Sequence, residues 1–406
     1  MLFSKKSNKR ILKWIALSIL VSALVVQPTI FDNNFSWIHR PAFQLQVNAQ
    51  NFTPNTTEQK NNQQPQKAES KKEENGKLDI FKIVMGAIAG LVLFLYGVTR
   101  MAEGLEALAG DRAKAWISKF TTNRYAGVAT GAAATTVLDS SSVTIIIVIA
   151  MVSAGLLTFV ESLGVVLGSN IGTTIGAQLV AFKINEYAPI ALLIAFLLLM
   201  FGKTDRLKHI GLIILGFGLL FFGLDQIENA MKPFENYQPF INLMERLGNN
   251  KLLGALVGAM FTILVQSSSA TVAIVVTLAS QGLITLPAGI ALMLGAEVGT
   301  CADTLVATIG RERPAVRTGI FHLVFNVTTA AVGILFAAQL VGLAQWLSSL
   351  LGAQNDVARE IANAQLIFNV FGVVLVIGFL PLIARLLERV IPDGKNQEQQ
   401  KQAKSA

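Results

Sequence analysis

The chain has 406 residues, 52% hydrophobic and only 14% charged, with a mean hydropathy of +0.55 and a formal net charge of +8. About a quarter of an ordinary soluble domain is charged, so most of this chain is solvated by something other than water. No basic stripe interleaved with aromatics gives the positive balance a nucleic-acid surface. A single cysteine, Cys301, and three scattered histidines, His39, His209 and His322, provide no disulfide, zinc or haem pattern.

In chain order, Lys5, Lys6, Lys9, Arg10 and Lys13 precede the apolar run Trp14 to Val26. That is a positive region followed by a short apolar one, so residues 1–49 read either as a cleaved signal peptide or as a retained membrane anchor. Residues 50–78 are rich in Asn, Gln, Lys and Glu. With almost no large apolar groups to bury, they are expected to form a disordered extracytoplasmic linker. Residues 393–406 read likewise as a disordered cytoplasmic tail.

Between these ends lie apolar segments at about 80–99, 125–156, 160–181, 187–202, 208–231, 252–282, 284–309, 318–345 and 359–384. Basic clusters separate some of them: Arg100 to Arg124, Lys203 to Lys208, Arg311 to Arg317, and Arg385 with Arg389. All four fit the cytoplasmic side only if 125–156 and 252–282 each return to the side they entered from. Those two stretches are therefore expected to be re-entrant hairpins; two tilted full helices would break the charge pattern. The fold class is an all-α, multi-pass membrane protein.

The chain also repeats itself. Leu138-Asp-Ser-Ser-Ser-Val-Thr144 matches Val265-Gln-Ser-Ser-Ser-Ala-Thr271. Ser153-Ala-Gly-Leu-Leu-Thr158 matches Ser280-Gln-Gly-Leu-Ile-Thr285, and Leu167-Gly-Ser-Asn-Ile-Gly-Thr173 matches Leu294-Gly-Ala-Glu-Val-Gly-Thr300, in the same register. Leu93-Phe-Leu-Tyr-Gly97 echoes Leu219-Leu-Phe-Phe-Gly223 one residue out of register. The expected organisation is repeat 1 over 79–207, repeat 2 over 208–345 and a C-terminal membrane helix over 346–392. The first apolar segment runs into a basic loop and its counterpart runs out of one, so the copies are expected to insert in opposite orientations, as in many secondary transporters.

Three serines within an apolar hairpin need a use, because irregular backbone at membrane depth survives only inside protein or around a cavity. Small residues at a helix interface are the alternative reading. A break frees N–H groups for an anion, while carbonyl and hydroxyl oxygens suit a hard cation. Ser140, Ser141 and Ser142, and Ser267, Ser268 and Ser269, offer both, and Thr144 and Thr271 can add hydroxyls. Asn170 and Glu297 stand at matched positions, and a carboxylate at depth, whether Glu297, Asp139 or Asp303, is a functional candidate by default. The Phe-Asn pairs Phe325-Asn326 and Phe368-Asn369 are expected to be interhelical contacts.

Gln266-Ser-Ser-Ser-Ala-Thr271, Gly168-Ser-Asn-Ile-Gly-Thr-Thr174 and Met101-Ala-Glu-Gly-Leu-Glu-Ala-Leu-Ala-Gly110 resemble the type II sodium–phosphate cotransporter family, over about residues 80–385. The resemblance implies sodium entry coupled to uptake of inorganic phosphate, with sodium as coupling ion, no other cofactor and no enzymatic activity. By that match Ser140, Ser141, Ser142, Gln266, Ser267, Ser268 and Ser269 would line the phosphate site, and Asn170, Thr173 and Thr271 the sodium sites. Asp139, Thr144, Glu297 and Thr300 complete the expected sodium set. Two positions depart from the family pattern: Asp139 stands where Gln is usual, and Glu297 where Asn is common. A carboxylate beside phosphate repels it unless a cation or proton lies between. No PhoU-like helical domain follows residue 390, so the chain is expected in the bacterial branch that lacks one, without regulation through such a domain. The expected location is the cell inner membrane, and the sequence leaves oligomeric state open. Rival readings are transport of another oxyanion or solute, a channel, and an intramembrane serine hydrolase, which would need a base beside a serine.

Overall fold

The computed structural model describes residues 79–182 and 184–393. The expected signal or anchor, the polar linker and all of the C-terminal tail except Asp393 lie outside the described residues. Among the described residues the fold is all-helical. The helices are α1 (Ile80–Phe120), α2 (Arg124–Leu138), α3 (Ser141–Ser153), α4 (Phe159–Ala181), α5 (Ala188–Phe201), α6 (Asp205–Met231), α7 (Gln238–Asn249) and α8 (Lys251–Val265). They continue with α9 (Ser268–Ser280), α10 (Leu286–Gly299), α11 (Cys301–Val306), α12 (Arg313–Leu335), α13 (Ala337–Leu350), α14 (Val357–Ile377) and α15 (Leu380–Val390).

Among the described residues, six helices or joined helices are long and apolar enough to cross a membrane, or seven if α7 and α8, bent by 106° at their junction, count as one span. Their outer faces expose Leu193, Phe196, Leu256, Leu264, Phe371 and Val374. Such a belt of large apolar side chains is stable against lipid and not against water. The protein is a multi-pass membrane protein.

Three expected segments are differently drawn. The segment expected to stop at 99 is the first half of α1, which runs to Phe120. Its polar half is sustained by good helix formers and by i,i+3 pairs such as Arg100 with Glu103 at 2.7 Å. The segment 318–345 divides into α12 and α13, and 359–384 into α14 and α15. At the second division Pro381 occupies the first turn of α15, where its missing N–H is harmless; within a continuous helix it would break the ladder.

The contacts fix how the chain doubles back. α2 and α4 run parallel: Gly127 meets Gly164, Gly131 meets Val165, and Gly172 meets Ala132 and Thr135. The chain must therefore reverse twice between them, and α2–α3 is a hairpin with its break at the tip. α8 and α10 repeat this arrangement, with Gly254 on Ala291, Gly258 on Leu292, and Gly299 on Ala259 and Thr262. Gly131, Gly168, Gly258 and Gly295 lie so close to a neighbouring carbonyl that a Cβ would collide with it. Glycine at these four places is what lets each hairpin lie against the helix that follows it.

The two copies point in opposite directions. α1 and α6 pack antiparallel, Gly90 against Gly223 and Gly97 against Gly216, so exchanging the copies returns the same contacts. The first hairpin opens at one level, where Gly164 meets the Arg124 carbonyl, Ser162 Oγ lies 2.9 Å from Thr318 Oγ1, and Arg124 donates to the Ile377 carbonyl at 3.2 Å. α10 runs the other way along α12, from Leu294 beside Gly333 to Thr308, beyond the end of α11, beside Gly319. The second hairpin, α8–α9, starts level with α10 and so opens at the far end of α12.

Candidate functional site

Each hairpin breaks at a strained residue. Among the described residues only Asp139 (φ 51°), Gln266 (φ 59°) and Asn355 (φ 62°) are non-glycine residues with positive φ. A left-handed backbone costs an L-residue roughly 1–2 kcal/mol, and strain of this kind collects at functional positions. Two of the three residues occupy the matched break. Each closes one helix, and the following serine opens the next.

The capping is identical in the two copies. Ser140 Oγ accepts from the Val143 N–H at 3.2 Å, and Ser267 Oγ from the Ala270 N–H at 3.2 Å. This satisfies the third orphan donor of α3 and α9 and leaves the N–H groups of Ser141, Ser142, Ser268 and Ser269 without a helical acceptor. A helix start with free N–H groups and a favourable dipole is suited to an anion.

Thr144 and Thr271 do something more specific than the expected loose supply of hydroxyls. Thr144 Oγ1 donates to the Ser140 carbonyl at 3.0 Å and accepts from Thr135 Oγ1 at 2.9 Å. Thr271 Oγ1 donates to the Ser267 carbonyl at 3.1 Å and accepts from Thr262 Oγ1 at 2.8 Å. Each threonine ties the two arms of its hairpin together at the break.

The tip of the first hairpin meets the second copy at the helix that follows its hairpin. Ser142 Oγ lies 3.3 Å from Thr300 Oγ1, a contact between the first hairpin and the α10–α11 junction of the second copy. Thr300, Gln266 and Asp303 line one cavity of about 290 Å³. Ser142, Gln266, Thr300 and Asp303 are thus brought together. In the first copy Asp139 sits beside Gly176, the position matched to Asp303.

Other expected residues have local tasks. Asn170 and Thr173 are buried, and their side chains bond the carbonyls of Val166 and Ser169 at 2.9 and 3.0 Å within α4. Glu297 is buried and is held by Gln365 of α14 (2.8 Å) and Asn369 (3.3 Å), not by the breaks. The Phe-Asn echo marked Asn369 as an interhelical contact, but no spacing in the sequence points Gln365 or Asn369 at Glu297. His322 approaches Thr304 Oγ1 at 2.9 Å and Cys301 Sγ at 4.0 Å. Both of its ring nitrogens therefore face residues other than the serines.

A multi-pass helical protein with two oppositely directed hairpins, each broken at a Ser-rich tip, is the class these features define. The Na+/Pi-cotransporter family model matches twice, over residues 93–229 and 236–380, and the chain belongs to this family. It is 27% identical over 310 residues to YqeW of Bacillus subtilis, covering 76% of this chain and 99% of that one. It is 24% identical over 307 residues to the Escherichia coli K12 protein named "Putative inorganic phosphate export protein YjbB", covering 75% of this chain and 55% of YjbB. A 107-residue stretch, 25% of this chain and 15% of the relative, is 36% identical to the human sodium-dependent phosphate transport protein 2B. The chain thus spans nearly all of YqeW but about half of YjbB. No solved structure matches.

Proposed function

We propose that this protein moves inorganic phosphate together with sodium across the cell membrane, importing phosphate by alternating access. The observation that carries the reading is the pair of left-handed breaks, Asp139 and Gln266, with Ser142 beside the first break touching Thr300, which shares a cavity with Gln266. Free N–H groups of Ser141, Ser142, Ser268 and Ser269, with Gln266, would hold the phosphate. Asp139, Asn170, Thr173 and Thr300 are the oxygen-bearing side chains proposed to serve sodium nearby, while Thr144 and Thr271 hold the breaks in shape. Opposed hairpins meeting at one site can expose it alternately to either side if one copy rocks against the other. With the four basic clusters cytoplasmic, the copies are inverted across the membrane and the C-terminus is cytoplasmic.

Each half-site carries one carboxylate, Asp139 in the first and Asp303 in the second, on opposite sides of the contact. A cation held by such a carboxylate can also shield it from bound phosphate. The name of YjbB favours a second reading, phosphate export. Radiolabelled phosphate flux in proteoliposomes, with a sodium gradient imposed in either direction, tests both. Accumulation that follows sodium inward and is largely lost in Gln266→Ala is the expected result. Flux indifferent to sodium defeats the coupling, and flux that is outward in cells and independent of sodium favours export.

A further inference from the structure

A second cluster lies away from the breaks, around Glu297. Its carboxylate is 1% exposed and enters none of the ion pairs found among the described residues. Oε1 takes N–H groups from both Gln365 (2.8 Å) and Asn369 (3.3 Å). The oxygen ends of the same two amides, Gln365 Oε1 and Asn369 Oδ1, are buried without a hydrogen-bond partner. A third orphan, Asn326 Oδ1, lies on α12, where the Asn326 amide donates to the His322 carbonyl at 3.1 Å.

Each orphaned buried acceptor carries a penalty of about 1–3 kcal/mol. Turning the Gln365 or Asn369 amide over removes nothing, because it would set a carbonyl oxygen against the carboxylate. What such a cluster lacks is positive charge that asks for oxygen and offers no hydrogen bond. Carboxylate and carbonyl oxygens are the ligands of hard cations. We propose that Glu297, with the side-chain oxygens of Gln365 and Asn369, binds one monovalent cation between α10 and α14. The choice of sodium rests on the transport reading above; the site itself does not. The site exists in one copy only, because the matched Asn170 turns its amide to Val166 of its own helix. It also makes α14, outside both hairpins, a supplier of ligands.

The test is thermal unfolding of the purified full-length protein in detergent, without phosphate, in sodium chloride against choline chloride at equal ionic strength. Wild type is expected to gain stability saturably with sodium. Glu297→Gln is expected to lose most of that gain, keeping only what sodium at the breaks supplies, while unfolding no earlier than wild type in choline. Should Glu297→Gln fail to fold, Asn369→Ala is read instead, with the sodium midpoint raised about tenfold, as when a metal ligand's support is removed. No gain in wild type, an unshifted midpoint in either variant, or a gain produced by lowering pH and not by sodium overturns the proposal. Sodium-independent phosphate flux with the thermal gain intact would defeat the coupled-transport reading and leave this site standing.

Discussion

Asp139 and Gly176 lie beside each other in the first copy, and the matched Gln266 and Asp303 line one cavity in the second, so the carboxylate has changed sides between otherwise matched half-sites. At Gly176 the nearest atom to an added Cβ is Asp139 Oδ1, at 3.4 Å, an ordinary contact. There is room for a side chain where the second copy has one.

That room permits a charge transfer. Asp139→Gln alone should reduce sodium-driven phosphate uptake about tenfold or more, as expected for the loss of a contact to a charge. Adding Gly176→Asp should restore most of it, because the first copy then carries Gln and Asp as the second does. Uptake in proteoliposomes over a range of sodium concentrations makes the measurement. A double variant no better than the single one would show that the two positions do not share a cation.

The backbone at Gln266 separates fold from function. Gln266→Gly should leave the melting temperature unchanged or raise it, since glycine enters the left-handed region freely, while phosphate uptake is largely lost with the amide. Gln266→Ala should lose uptake with little change in stability, since both residues carry a Cβ into the left-handed region. Thermal melts paired with uptake assays check both variants.

The hydroxyl ties can be cut singly. Thr135→Val and Thr262→Val each remove the donor that links the arms of a hairpin, at about 1 kcal/mol of stability apiece. If the ties keep the breaks in shape, phosphate affinity should fall further than stability does. Uptake kinetics against phosphate concentration distinguish that outcome from a general loss of protein.

Close packing of the hairpins predicts a sharp contrast between glycines. Gly258→Ala sets a Cβ into the Leu292 carbonyl and should destabilise by roughly 1–3 kcal/mol or more, as overpacking does. Gly342→Ala meets nothing within 4 Å and should be neutral or slightly stabilising in its helix. Melting temperatures of the two variants in detergent decide.

Much of this protein is legible along the chain. Apolar length and charge placement require a multi-pass helical bundle, because hydrocarbon leaves the backbone no other way to satisfy its hydrogen bonds. The shared register of the Ser triplets, of Gly155 with Gly282 and of Gly168 with Gly295 marks the duplication. Those are local or periodic properties, and a sequence carries them openly.

Other features depend on which helices touch, and only the tertiary structure decides that. The lodging of Glu297 against Gln365 and Asn369, the meeting of Ser142 with Thr300, and the pairing of Asp139 with Gly176 join residues on different helices. Their separation along the chain is set by packing and has no period to read. The threonines at the breaks show the same limit at short range: Thr144 was visible as a hydroxyl, but its bond to Thr135 exists only because the chain folds back on itself.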